Sequence, residues 1–122
     1  MTTVLLVEDE LDIAEVLRDV LEIHGFRVIL AVDGVDGLEK AHGNALDLLI
    51  TDVMMPAMDG AELIERVRQI RGLERVPVIA ISAAPYEGDE LFLRKPFDVH
   101  EFVQLIRRAL AGSAAQYRKS FP

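Results

Sequence analysis

With 122 residues the chain is the length of one domain, large enough to bury roughly two-thirds of its unfolded surface without covalent staples. The absence of cysteine excludes a disulfide framework and a thiolate metal site, and the apolar runs are too short to span a bilayer. A net charge of −8, from 21 acidic against 13 basic residues, argues against nucleic-acid binding by this domain, because phosphate contacts need a basic patch.

Short runs rich in Val, Ile and Leu alternate with amphipathic segments, the pattern of βαβ units and an α/β fold with a parallel sheet covered on both faces. Met1-Thr2-Thr3 leads straight into the first strand, about Val4–Val7, with no basic segment and apolar core of a targeting peptide before it, so the expected compartment is the cytoplasm. Ile13, Val16, Leu17, Val20, Leu21 and Ile23 then recur at helical spacing, and Gly25 offers a stop, which predicts a helix over about Leu11–His24. A second strand at Arg27–Ala31 and a weaker helix over Gly34–His42 follow, then a third strand at about Leu46–Thr51. Asp59 is placed to cap the next helix, with Glu62 reaching back and Leu63, Ile64, Val67 and Ile70 as its buried stripe. Strands at Val78–Ile81 and Leu91–Arg94 precede a last helix capped by Asp98, with Phe102, Val103, Leu105, Ile106 and Leu110 on its apolar face. Residues 1–112 form the expected domain, and 113–122 a tail or the start of a linker, since they show no periodicity. The working form is a stand-alone domain.

One interval breaks the rhythm. Only seven residues separate Ser82 from Glu90, whereas a parallel crossover containing a helix needs a dozen or more. Seven extended residues still reach about 23 Å, enough to return along a short strand, so a bare loop is expected there and part of one sheet face is left uncovered.

Glu8 and Asp9 close the first strand, Asp52 the third, Ser82 the fourth, and Lys95-Pro96 the fifth. These ends share one edge of a parallel sheet, where open α/β folds bind ligands. Carboxylates and carbonyls are the oxygen ligands Mg²⁺ prefers, which makes Asp9 and Asp52 direct ligands and gives Glu8 a coordinated water. Asp52 can also be a nucleophile forming an aspartyl phosphate, with Lys95 pairing the phosphoryl oxygens and Ser82 donating a hydroxyl hydrogen bond to them. Singly, each has a plainer reading: Asp52 as a turn residue, Glu8 and Asp9 as helix caps, Lys95 as a solvated lysine, Ser82 as a loop serine. Their joint occurrence at one edge favours the site. His24, His42 and His100 lack metal-ligand spacing, and Met54, Met55 and Met58 read as loop packing. Tyr86 and Tyr117 have no basic and aromatic company of the kind a nucleic-acid platform needs, and no Gly-rich phosphate loop is present.

VLLVEDE at Val4–Glu10, LLITDVMMPAMDG at Leu48–Gly60 and LRKPF at Leu93–Phe97 resemble the receiver domain of two-component response regulators, over about Thr3 to Leu110. The resemblance implies a flavodoxin-like (CheY-like) fold with strand order 2-1-3-4-5. It implies that Asp52 accepts a phosphoryl group from a histidine kinase or phosphotransfer protein, with Mg²⁺ (or Mn²⁺) held by Asp9, Asp52 and the Met54 main-chain carbonyl, and by Glu8 through water. Ser82 matches the family's switch hydroxyl, Lys95 its lysine, and Phe92 its switch aromatic; the Lys95–Pro96 bond is expected to be cis. Members of the family carry a helix between the Ser/Thr and the glycine matched by Gly88, and about nine residues of it are missing here. Downstream partners, as a separate protein or an effector domain, and a homodimer stay open, and no membrane contact is implied. Such a domain is a substrate and switch more than an enzyme. The alternative is a phosphorylation-independent interaction module on the same fold; a small metal-dependent phosphohydrolase is a third reading, without an evident general base.

Overall fold

The computed structural model describes residues 1–119, in which five parallel strands form one sheet. In chain order the elements are β1 (Thr3–Val7), α1 (Leu11–Ile23), β2 (Arg27–Ala31), α2 (Gly34–His42), β3 (Leu48–Asp52), α3 (Gly60–Val67), β4 (Val78–Ser82), β5 (Leu91–Arg94) and α4 (Val99–Lys119). The sheet order is β2-β1-β3-β4-β5, as the resemblance implies. The helix α4 continues past Gly112 to Lys119, so the expected tail is helical that far; residues 120–122 lie outside the described residues.

Strand side chains alternate between faces, and this alternation divides the core in two. Leu5, Val7 and Leu49 pack with Leu63, Ile64 and Val67 of α3 and Ala41 of α2. Val4, Leu6, Leu48, Ile50, Ile79 and Ile81 pack against Leu17 and Leu21 of α1 and Phe102, Leu105 and Ile106 of α4. Both faces of the central strands are therefore dry, which is why those strands read as unbroken apolar runs. Helix α1 fully buries Ala14, Leu17 and Leu21 and packs Ile13 and Val20 at the margin of the same cluster; Val16 and Ile23, counted with its apolar face from the sequence, point outward, on the side away from the sheet.

Local signals set the helix ends. Gly25 has φ +87°, and the Phe26 and Gly25 N–H groups donate to the carbonyls of Leu21 and Glu22, closing α1 with a left-handed cap. The carboxylate of Asp59 accepts from the Glu62 N–H at 2.8 Å, and that of Asp98 from the Glu101 N–H at 2.7 Å. Glu62 does not complete a box by returning to Asp59; it lies 3.7 Å from Arg66.

Between Ser82 and Leu91 there is no helix, as the short interval requires. Phe92 sits between Leu91 and Leu93, which pack in the α1/α4 layer, so its side chain faces the opposite layer. The expected bare face is not bare there: the Tyr86 ring lies over Phe92, with centroids 5.7 Å apart.

Gly60 joins the fold to the third strand's end. A Cβ at this position would stand 2.5 Å from the Asp52 carbonyl oxygen and 2.7 Å from Val53 Cα. Gly60→Ala is expected to cost about 2 kcal/mol of stability in chemical denaturation, the usual range for overpacking, and a loss below about 0.5 kcal/mol would show that the 53–59 turn yields freely.

Candidate functional site

The parallel register delivers the site. Val7 pairs with Thr51 and Asp52 with Ile81, while the Val53 N–H donates to the Ile81 carbonyl and the Lys95 N–H to the Ser82 carbonyl. Glu8 and Asp52 thus leave neighbouring strands at one level, with Ser82 one residue and Lys95 two residues further along the next two strands, all at the same edge of the sheet.

At the centre is Lys95, whose Nζ lies 2.8 Å from Glu8 Oε1, 2.8 Å from Asp52 Oδ2 and 3.6 Å from Glu10 Oε1. Glu8 is 2% and Asp52 5% exposed. The Met54 N–H donates to Asp52 Oδ1 at 3.0 Å, so both oxygens of Asp52 are engaged. Burial, reinforced by the charge of Asp52, pushes the Glu8 carboxyl up to about 7, against the hydrogen bonds from Lys95 and the Glu10 N–H. Lys95 is raised although its own burial opposes this, because both carboxylates hold its charged form. The two results are consistent: one ammonium shared between two acids satisfies itself better than it satisfies either of them.

Among the described residues, Glu8, Glu10 and Asp52 form a group of three carboxylates with oxygens within 4.8 Å of one another. That set is hard, oxygen-only and short of positive charge, and it fits a divalent cation such as Mg²⁺. Asp9, read as a direct ligand, is exposed and outside this trio; Glu10, which sequence reasoning passed over, is inside it. The signal was available, since residues two apart at a strand end share a side.

Ser82 is buried, and its Oγ accepts the Ala84 N–H at 3.1 Å. Phe92 is half-buried and the Lys95–Pro96 bond is cis, as expected. Met54 exposes its side chain and presents its backbone to Asp52.

Residues 4–107 match the family described as "Response regulator receiver domain". The chain belongs to that family. It is 36% identical over 119 residues to the response regulator ArlR of Staphylococcus saprophyticus, covering 90% of this chain and 53% of that protein, so the receiver spans about half the length of that curated relative. The chemotaxis protein CheY4 of Vibrio cholerae superposes with a TM-score of 0.85 at 28% identity, covering 90% of this chain and 99% of that one. The receiver domain of the sensor histidine kinase PA1611 from Pseudomonas aeruginosa, whose structure has a magnesium ion coordinated in the active site cleft, gives a TM-score of 0.82 at 28% identity over 90% and 98% of the two chains. Among the described residues, no helix of this receiver is long and apolar enough to cross a membrane.

Glu8 links the site to stability. Its folded pKa lies above the unfolded value of 4.5, so protonated Glu8 favours the fold, and that advantage is lost as pH rises towards about 7. In metal-free buffer, unfolding free energy is expected to fall by on the order of 2 kcal/mol between pH 5 and pH 8, and Glu8→Gln is expected to remove that fall. Parallel curves for the two proteins would contradict the assignment.

Proposed function

We propose that Asp52 accepts a phosphoryl group from the phosphohistidine of a histidine kinase or phosphotransfer protein, in a Mg²⁺-dependent (or Mn²⁺-dependent) reaction, and that this switches protein–protein contacts. The observation that carries the reading is Lys95 Nζ at 2.8 Å from both Asp52 and Glu8, a cationic group held where phosphoryl oxygens would arrive. By the family pattern Asp9, Asp52 and the Met54 carbonyl would hold the ion, with Glu8 through water; Glu10, whose carboxylate lies with those of Glu8 and Asp52, would be a further donor. When bound, the ion neutralises charge between the two anions that must meet.

The Met54 N–H retains Asp52 Oδ1, which leaves Oδ2 to attack phosphorus. The new P–O bond forms as the P–N bond to the donor imidazole breaks, and the electron pair stays on the ring nitrogen. Lys95 transfers its hydrogen bond from Oδ2 to a phosphoryl oxygen, and the Ser82 hydroxyl donates to another. The domain is a phosphoacceptor in signalling rather than an enzyme acting on free substrates, and it acts in the cytoplasm.

Intact-protein mass after incubation with a small acyl phosphate and Mg²⁺ tests the reading. One phosphoryl adduct is expected in the wild type and none in Asp52→Asn or in the presence of a chelator. An adduct on Asp52→Asn would overturn the acceptor assignment, and no adduct in any condition would favour a constitutive interaction module. Lys95→Ala is expected to keep Mg²⁺ binding by calorimetry while slowing adduct formation on the order of a hundredfold, as for loss of one preorganised donor to a developing anion. Loss of Mg²⁺ binding in that variant would instead make Lys95 a support of the metal site.

A further inference from the structure

We propose that residues 83–90 form a latch released by phosphorylation, in which Tyr86, tied through Glu90 to Arg68, closes over Phe92 where a crossover helix is absent. The inference rests on the phosphoacceptor reading of Asp52 and concerns how the modification is transmitted from that site.

Three observations define the closed state. The Tyr86 hydroxyl donates to Glu90 Oε1, and Arg68 Nη1 lies 2.8 Å from Glu90 Oε2, so the loop is tied to the end of α3 through a single carboxylate. Arg68 Nη2 also donates to the Val76 carbonyl at 3.4 Å, which anchors the guanidinium to the segment leading into β4. The Tyr86 and Phe92 rings are tilted by 32° at 5.7 Å, so Tyr86 contributes the apolar cover that an ordinary helix would give. Gly88 completes the arrangement: a Cβ there would collide with the phenol end of Tyr86 and lie 2.6 Å from Glu90 Oε1, so glycine leaves room for the two side chains to meet.

The charges agree with this geometry. Burial opposes ionisation of Glu90, yet the hydrogen bonds from Tyr86 and Arg68 hold its carboxyl below the usual range, so it stays an acceptor. Burial and then Glu90 raise the Tyr86 hydroxyl, which stays a donor.

The trigger is adjacent. In the unmodified protein Ser82 Oγ accepts the Ala84 N–H, which pins the start of the same loop two residues before Tyr86. Once the Ser82 hydroxyl turns to a phosphoryl oxygen, Ala84 loses that tie and the loop can lift. Phe92 carries no polar atom to report the change, so the polar lever is Tyr86, on the loop rather than on the strand. A loop held by a few exchangeable contacts is the kind of low-stability element a small bias can shift. Opening uncovers Phe92, the residue that the Tyr86 ring covers in the closed state.

The chain has only Tyr86 and Tyr117, so protein labelled with 3-fluorotyrosine gives two ¹⁹F signals, which Tyr86→Phe assigns. In the unmodified protein the Tyr86 signal is expected well away from free 3-fluorotyrosine, and Phe92→Leu is expected to move it. With acyl phosphate and Mg²⁺, and the adduct verified by mass, it is expected to cover more than half the distance to the free position. Arg68→Ala is expected to produce part of that movement without phosphate. A complete adduct with an unmoved Tyr86 signal would overturn the latch and leave the phosphoacceptor reading standing. No adduct would remove the acceptor reading and, with its trigger gone, the latch also.

Discussion

Two almost fully buried carboxylates share one ammonium in this protein. Glu8 and Asp52 are each 2.8 Å from Lys95, and Glu10 stands behind them at 3.6 Å. Burying charge is costly unless geometry returns the cost, and here the return is uneven, which leaves Glu8 with its proton held up to about 7. The site is consequently short of positive charge before any ligand arrives. A divalent cation and then a phosphoryl group are the partners that this imbalance suits, the first for the acids and the second for the lysine.

That constraint reaches into the scaffold. Parallel strands in register bring Glu8, Asp52, Ser82 and Lys95 to one edge of the sheet from positions far apart in the chain, and a core on both faces keeps those strands in register. The close approach of Gly60 to the backbone of Asp52 and Val53 belongs to the same requirement, because it lets α3 begin directly beside Asp52. The turn between them supplies the Met54 N–H that orients Asp52.

Where this receiver departs from its family, the departure falls on the crossover after β4 rather than on the residues at the strand ends. The acids, the hydroxyl and the lysine are assembled, while the crossover after β4 is a loop tied down by Tyr86, Glu90 and Arg68. A helix over that face would bury its stripe permanently. A loop held by a few side-chain contacts covers less surface and is easier to displace, so a shortened crossover is compatible with a switch.

The class of fold, the five strands, the four helices and the meeting of Glu8, Asp52 and Lys95 at one sheet edge were legible in the sequence, because strand periodicity, cap residues and strand-end motifs are local signals. Asp59, Asp98 and Gly25 act where the sequence places them, and the missing helix followed from a count of residues against the length a crossover needs. Tertiary structure decided what depends on groups distant in sequence. It chose Glu10 over Asp9 for the close trio, turned Val16 and Ile23 of α1 to the outside, and set Tyr86 on Phe92 with Arg68 as anchor. Each of these outcomes depends on which side chain a neighbouring element leaves room for, and periodicity along a single chain carries no information about that room.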